Sequence, residues 1–177
     1  MDVRSYSAAD ALKDGTLVIV RAIRHDDRAS VLATFKSLDR ESVYTRLFTY
    51  KKELTEAELK QFTEVDFENV VALVVTIQSG EGGRLIGGGR YYVDAASPAP
   101  RSAELAFVTA DDWHGRGIAS LVLRHLARIA RDQGIETFEA EVLAQNRAML
   151  AVFGRSGLKV IQRRDGNTVH VTLLLNE

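Results

Sequence analysis

The stretch Trp113–Ser120, with the sequence WHGRGIAS, has the residue types and spacing that most clearly indicate a binding site. It follows a strand-like run, Ala103–Thr109, and leads into residues with helical spacing from Ile118 to Gln133. A helix N-terminus exposes unpaired N–H groups with partial positive charge, and glycine lets an anion approach the backbone closely. The pattern therefore indicates a phosphate site, with an ordinary turn containing two glycines as the alternative.

Glu104 is the carboxylate that this strand brings toward the glycine turn. Strand alternation places it on one face with Ala106 and Val108. Burial among small apolar neighbours would disfavour its charged form and make it a better proton acceptor. The other interpretation is an exposed charge at a strand edge, which is the commoner position for glutamate.

Composition bounds the class of protein. The chain has 177 residues, a net charge of −1 and no cysteine, so disulfides and thiolate catalysis are excluded and one domain over 1–177 is expected. The sequence has no excess of basic residues, so a nucleic-acid partner is not expected. It has no apolar run long enough to span a bilayer, so a membrane partner is not expected either. The four histidines lack metal-ligand spacing, so no metal is expected. Met1–Tyr6 lacks the apolar core of a signal peptide, so a cytoplasmic location is expected.

Apolar periodicity predicts the elements that position these residues. The expected strands are Leu17–Ile23, Val70–Ile77, Arg84–Asp94, Ala103–Thr109, Phe138–Val142, Lys159–Arg164 and Thr168–Leu175. The expected helices run through Val31–Leu38, Glu56–Thr63, Ile118–Gln133 and Asn146–Phe153, with a short turn over Glu41–Leu47.

This order of elements predicts an α/β fold in which helices cover a mixed sheet. Residues 1–16 are expected to be a loosely ordered N-terminal extension. The loop containing Pro98 and Pro100 is too short to separate two domains. Gly87–Gly89 interrupts a strand and predicts a bulge or a close backbone approach.

The motif His114-x-x-Gly117-x-Ala119 resembles the Gln/Arg-x-x-Gly-x-Gly/Ala signature of GNAT-superfamily N-acetyltransferases, with His114 where Gln or Arg is usual. The resemblance is specific from about Ala103 to Leu158. It implies the GNAT fold, a mixed and mostly antiparallel central sheet of about seven strands flanked by helices. In that fold the central strands splay apart to admit the pantetheine arm of acetyl-CoA.

The resemblance also implies roles for individual residues. Backbone N–H groups of Gly115–Ser120 would hold the diphosphate, the backbone of Phe107–Thr109 would pair with pantetheine, and the Val108 N–H would polarise the thioester carbonyl. Phe153 stands where many members have a tyrosine that protonates the leaving thiolate. The implied cofactor-binding residues are Phe107, Val108, Thr109, His114, Gly115, Arg116, Gly117, Ile118, Ala119, Ser120, Asn146 and Phe153.

A narrower resemblance concerns the acceptor. Three segments resemble those of bacterial Pat-type protein lysine acetyltransferases: Ala103–Val108, Ser42–Phe48 and Lys52–Glu58. In those proteins the glutamate that matches Glu104 is the catalytic base. This implies that Glu104 is the base of an acetyl-CoA-dependent N-acetyltransferase, with a protein lysine attacking the thioester directly. A small-molecule amine acetyltransferase and a non-catalytic acyl-CoA-binding module are the alternatives. The acceptor and a homodimeric state stay open.

Overall fold

The computed structural model describes residues 2–37, 55–78, 83–93, 101–110 and 113–176. The predictions for Leu38, for the turn Glu41–Leu47, for the proline loop and for most of the Pat-like N-terminal motifs, Ser42–Phe48 and Lys52–Leu54, lie outside these residues. The strands are β1 (Ser7–Ala11), β2 (Leu17–Ala22), β3 (Val70–Ile77), β4 (Arg84–Val93), β5 (Ser102–Thr109), β6 (Thr137–Leu143), β7 (Lys159–Asp165) and β8 (Thr168–Leu174). The helices are α1 (Arg28–Ser37), α2 (Glu56–Thr63), α3 (Ile118–Asp132) and α4 (Arg147–Gly154).

The described strands form one eight-stranded sheet in the order β1-β2-β3-β4-β5-β6-β8-β7. Every neighbouring pair is antiparallel except β5 with β6. The expected number of about seven strands is one short, because β1 lies in the segment expected to be loosely ordered and pairs with β2. Ser7–Ala11 reads SAADA, which has no large apolar side chain to mark a strand.

The parallel pair of β5 and β6 comes apart within the sheet. Only three residue pairs join the two strands, and the last is Glu104 with Glu139. Beyond these pairs, β5 continues to Thr109 and β6 continues to Leu143, but the two strands no longer pair with each other. The splayed centre implied by the family resemblance is therefore present.

Helix α3 carries the glycine turn to the sheet. It begins directly after Gly117 and packs on β3 and β4. Its predicted apolar stripe is buried throughout: Ile118, Leu121, Val122, Leu126 and Ile129. Because the stripe fixes the helix against the sheet, the first turn of the helix has a defined position beside β5.

The three glycines of β4 serve both predicted purposes. The register of β3 with β4 shifts between Val75 and Thr76, so the strand pair contains an irregularity. A Cβ on Gly88 would lie 2.5 Å from the Leu73 carbonyl oxygen, and one on Gly89 would lie 2.7 Å from the Phe107 ring. The absence of side chains at these positions lets the neighbouring strand, and the Phe107 side chain beside it, approach closely.

We expect Gly88→Ala to lower the free energy of unfolding by about 1–3 kcal/mol, because the added methyl group collides with backbone that cannot rotate away. Chemical denaturation followed by circular dichroism measures this change. Gly154→Ala is the matched control, since a Cβ there meets nothing within 4 Å. Equal stability of the two variants would contradict the close approach.

Candidate active site

A cleft with a volume of about 750 Å³ opens where β5 and β6 diverge. One wall is β5 from Glu104 to Thr109, and the opposite wall includes residues 140–142 of β6. The glycine turn and the start of α3 close one side, and α4 with Asn146 closes another. The cleft therefore brings together the strand, the turn and the helix that the sequence singled out.

The glycine turn offers N–H groups to this cleft. Gly115 and Gly117 have φ values of 77° and 88°, a left-handed conformation that favours glycine. Gly117 is the N-cap of α3, and among the described residues no side chain caps that helix end. Ile118, Ala119 and Ser120 line the cleft, and as the first helical residues their N–H groups have no partner within the helix. The turn can therefore hold an anion.

Alternation along β5 decides which backbone groups face the cleft. The Ala110 N–H donates to the Ile86 carbonyl of the β4 side at 2.9 Å, whereas the Arg101 carbonyl accepts from the Thr137 N–H on the β6 side. Even-numbered residues of β5 therefore direct their N–H groups to β4, and odd-numbered residues direct theirs to the splayed side. In a regular strand, Phe107 and Thr109 therefore present their N–H groups to the splayed side, and the Val108 N–H is directed to β4. The thioester contact predicted for Val108 stays a prediction.

Glu104 is the last residue of β5 that pairs with β6, and it lines the cleft with Tyr92, its partner on β4. The residue is exposed. Of the two interpretations from the sequence, the exposed charge is therefore the one observed, because the parting of the strands begins at this position and opens the face that Ala106 and Val108 share with it. A carboxylate here is accessible to a reacting molecule that enters the cleft.

Asn146 and Phe153 come from the last wall of the cleft. The Asn146 side chain accepts a hydrogen bond from the Met149 N–H at 3.2 Å, so it caps α4 as well as lining the cleft. Phe153 is 1% exposed, and its ring centroid lies 6.3 Å from that of Phe107. This contact joins α4 to the splayed part of β5.

The structure separates Arg116 from the other predicted cofactor-binding residues. His114, Gly115 and Gly117 line the cleft, but Arg116 does not. The Arg116 guanidinium lies 4.5 Å from the centre of the Trp113 ring and 3.7 Å from an Asp14 carboxylate oxygen. Its side chain is thus directed to the turn between β1 and β2.

Several charged residues of the cleft were not found from the sequence. Lys13, Arg124 and Arg155 supply cations, and Glu141 adds a carboxylate to that of Glu104. None of Lys13, Arg124, Arg155 and Glu141 stands in a recognisable motif. The Asp14-Gly15 pair beside Lys13 is a hairpin signal that could have revealed the turn, though not its position over the cleft.

A histidine lies next to these carboxylates on the same face of the sheet. The His170 ring nitrogens contact a Glu141 oxygen at 2.5 Å and a Glu139 oxygen at 2.8 Å. Hydrogen bonding to Glu141, and then to Glu139, raises the pKa of His170 above its ordinary value of 6.5 despite some loss of solvent. The histidine therefore links the β6 wall of the cleft to β8.

The fold and the site together form a cleft between two splayed strands, beside a glycine turn at the start of a helix. A model of the acetyltransferase (GNAT) domain matches residues 18–159. The chain belongs to the GNAT acetyltransferase family. It is an N-acetyltransferase, and this fold implies acetyl-CoA as its co-substrate.

Three relatives illustrate the relationship. An acetyltransferase of Pseudomonas aeruginosa is 30% identical over 140 residues, which cover 79% of this chain and 74% of that protein. The crystal structure of the GNAT domain of S. lividans PAT is 35% identical, with a TM-score of 0.85 over 95% of this chain and 96% of that chain. Acetyltransferase Pat of Mycolicibacterium smegmatis is 33% identical over 117 residues, and the match spans 66% of this chain but only 34% of that protein.

Two other findings concern metal and membrane. Within the described ranges, no group of three or more His, Asp or Glu side chains is placed to hold a metal ion. None of the described helices is long and apolar enough to cross a bilayer.

We expect the stability contributed by His170 to depend on pH. Because its pKa is raised in the folded protein, the charged ring stabilises the fold below the unfolded-state pKa, and this stabilisation is lost as pH rises through the folded-state pKa. The free energy of unfolding of wild type should exceed that of His170→Gln by up to about 1 kcal/mol near pH 6, with the difference shrinking toward pH 9.

Denaturant titrations at several pH values measure this difference. His25→Gln is the control, since His25 is exposed and lies at a helix start away from the carboxylates. A wild-type advantage that stays constant from pH 6 to pH 9 would show that the ion pairs contribute nothing.

Proposed function

We propose that the protein transfers the acetyl group of acetyl-CoA directly to a primary amine, with Glu104 as general base and a protein lysine as acceptor. The observation that carries this proposal is the position of Glu104 at the point where β5 and β6 part. A carboxylate at that point stands between the co-substrate cleft and the open face of the sheet. The likeness to Pat proteins supports both the base and the acceptor.

The co-substrate fits the groups that line the cleft. The uncapped start of α3 suits the diphosphate, because its N–H groups and helix dipole favour negative charge. The N–H groups of Phe107 and Thr109 suit the amide-bearing pantetheine arm, since none of the described strands pairs with β5 on that side beyond Glu104. Apolar side chains of α4 and its neighbours, among them Met149 and Val152, give that arm a partly dry wall.

The chemical step requires a neutral amine, because an ammonium has no lone pair with which to attack. A lysine amine has a pKa of about 10.4, so it is almost wholly protonated at neutral pH. Glu104 accepts one proton of the ammonium, directly or through water, and the neutral nitrogen then attacks the carbonyl carbon. The nitrogen loses its second proton to solvent as the tetrahedral intermediate collapses. The C–N bond forms and the C–S bond breaks.

The negative charges that develop on the carbonyl oxygen and on the departing sulfur are also stabilised. A β5 N–H on the splayed side stabilises the oxygen of the tetrahedral intermediate. Phe153 has no proton to give to the departing sulfur. A thiol has a pKa of about 8.5, so the thiolate is a stable leaving group that takes its proton from solvent.

The acceptor end of the cleft favours a cationic, accessible amine. Glu104 and Glu141 are both exposed, and both carboxylates line the cleft. Opposite charge attracts the lysine ammonium before it loses its proton, and exposure allows a side chain of another protein to reach the site. A small amine is the alternative acceptor.

We expect Glu104→Gln to lower kcat about 10²–10⁴-fold, because the amide cannot accept the amine proton. The dissociation constant of CoA should stay within about twofold, since the diphosphate and pantetheine contacts lie elsewhere. Steady-state assays with a lysine peptide and calorimetry with CoA measure the two quantities.

Glu68→Gln is the matched control, because Glu68 is an exposed glutamate in a turn that does not line the cleft. Turnover that is unchanged in Glu104→Gln would remove Glu104 from the mechanism. A parallel loss of CoA binding would instead assign it a binding role.

We expect kcat/KM to be higher for lysine side chains in proteins or peptides than for free small amines, because the acceptor end is open. Acetyl transfer to a panel of both kinds measures this preference. A small amine that outperforms every peptide would transfer the proposal to the small-molecule class.

A further inference from the structure

The turn between β1 and β2 is held rigidly beside the cleft. The Leu12 N–H donates to the Thr16 carbonyl, and the Gly15 N–H donates to the Leu12 carbonyl, both at 2.9 Å. The Thr16 N–H donates to an Asp14 carboxylate oxygen, also at 2.9 Å. Leu12 is 4% exposed and anchors the turn in the core. Lys13 is therefore presented by a fixed backbone.

Lys13 lies directly over the start of α3. Its Cγ and Cδ atoms are both 3.7 Å from the position that a Cβ on Gly117 would occupy. Lys13 and Gly117 both line the cleft. Because the ammonium lies only two bonds beyond Cδ, it can reach an anion bound at the first turn of the helix.

Arg116, the basic residue within the glycine motif, is directed elsewhere. Its guanidinium stacks on Trp113 and faces Asp14, and Arg116 does not line the cleft. Hydrogen bonding from Thr16 is the main cause that lowers the pKa of Asp14, and Arg116 makes a smaller contribution. The Asp14 carboxylate therefore stays ionised and keeps its ion pair with Arg116. The β1–β2 turn thus pairs with Arg116 through Asp14 and places its own Lys13 at the cleft.

We propose that Lys13 is a ligand of the acetyl-CoA diphosphate and that the β1–β2 turn is part of the co-substrate site. This inference rests on the proposed binding of acetyl-CoA at the start of α3. The N–H groups of α3 contact the diphosphate from one side, and the Lys13 ammonium neutralises it from the side of the turn. The N-terminal strand pair consequently contributes to co-substrate affinity as well as to the sheet.

The test compares CoA with dephospho-CoA, which keeps the diphosphate but lacks the 3′-phosphate. We expect Lys13→Met to weaken binding of both ligands about tenfold or more by calorimetry, because a charge-assisted contact to the shared diphosphate is lost. The loss should shrink as salt concentration rises, since screening weakens the same contact in wild type. Lys13→Arg, which keeps the cation, should bind within about threefold of wild type.

Lys60→Met is the control for removal of an exposed lysine, since Lys60 lies on α2 and does not line the cleft. A loss confined to CoA would place Lys13 at the 3′-phosphate and overturn the diphosphate assignment. Unchanged affinity for both ligands would overturn the role altogether. Wild-type protein that fails to bind CoA would overturn the proposed function itself, and the inference with it.

Discussion

The parting of β5 from β6 after Glu104 is the constraint on which the rest of the structure depends. Two parallel strands that separate leave backbone N–H and C=O groups unpaired, which is costly unless another partner or solvent satisfies them. Helix α4 contributes to the gap, because the buried Phe153 ring packs against Phe107 on the splayed strand. The opening is therefore a packed feature of the core, and a ligand with amide groups can complete the hydrogen bonds that the sheet leaves open.

The glycines of β4 and helix α3, which packs on this strand, determine which groups line the opening. Gly89 leaves room for both Phe107 and Val122, so α3 and β5 meet closely over this strand. That contact places the first turn of α3 at the level of the splayed part of β5. A bulkier β4 would lift the helix away, and the glycine turn would no longer share a cleft with Glu104.

Much of this arrangement follows from the sequence, because apolar periodicity reports burial directly. The predicted bounds of β3, α2 and the start of α3 coincide with those of the structure. Predictions were less successful where burial carries no signal. β1 has no large apolar residues, so the sequence predicts a loose extension where the structure has a strand paired with β2. Strand alternation left Glu104 either buried or exposed, and it is the separation of the strands, a tertiary property, that exposes it.

The charges of the cleft show why composition could not locate the site. A net charge of −1 indicates neither an anionic nor a cationic ligand, yet the cleft contains three cations and two carboxylates in distinct places. Lys13 lies over the start of α3, while Glu104 and Glu141 belong to the strands that diverge. Coulomb interactions act over short distances in salt, so each end of the cleft can favour a different charge. Averaging over the chain cancels this contrast between the two ends of the cleft, so the net charge does not reveal it.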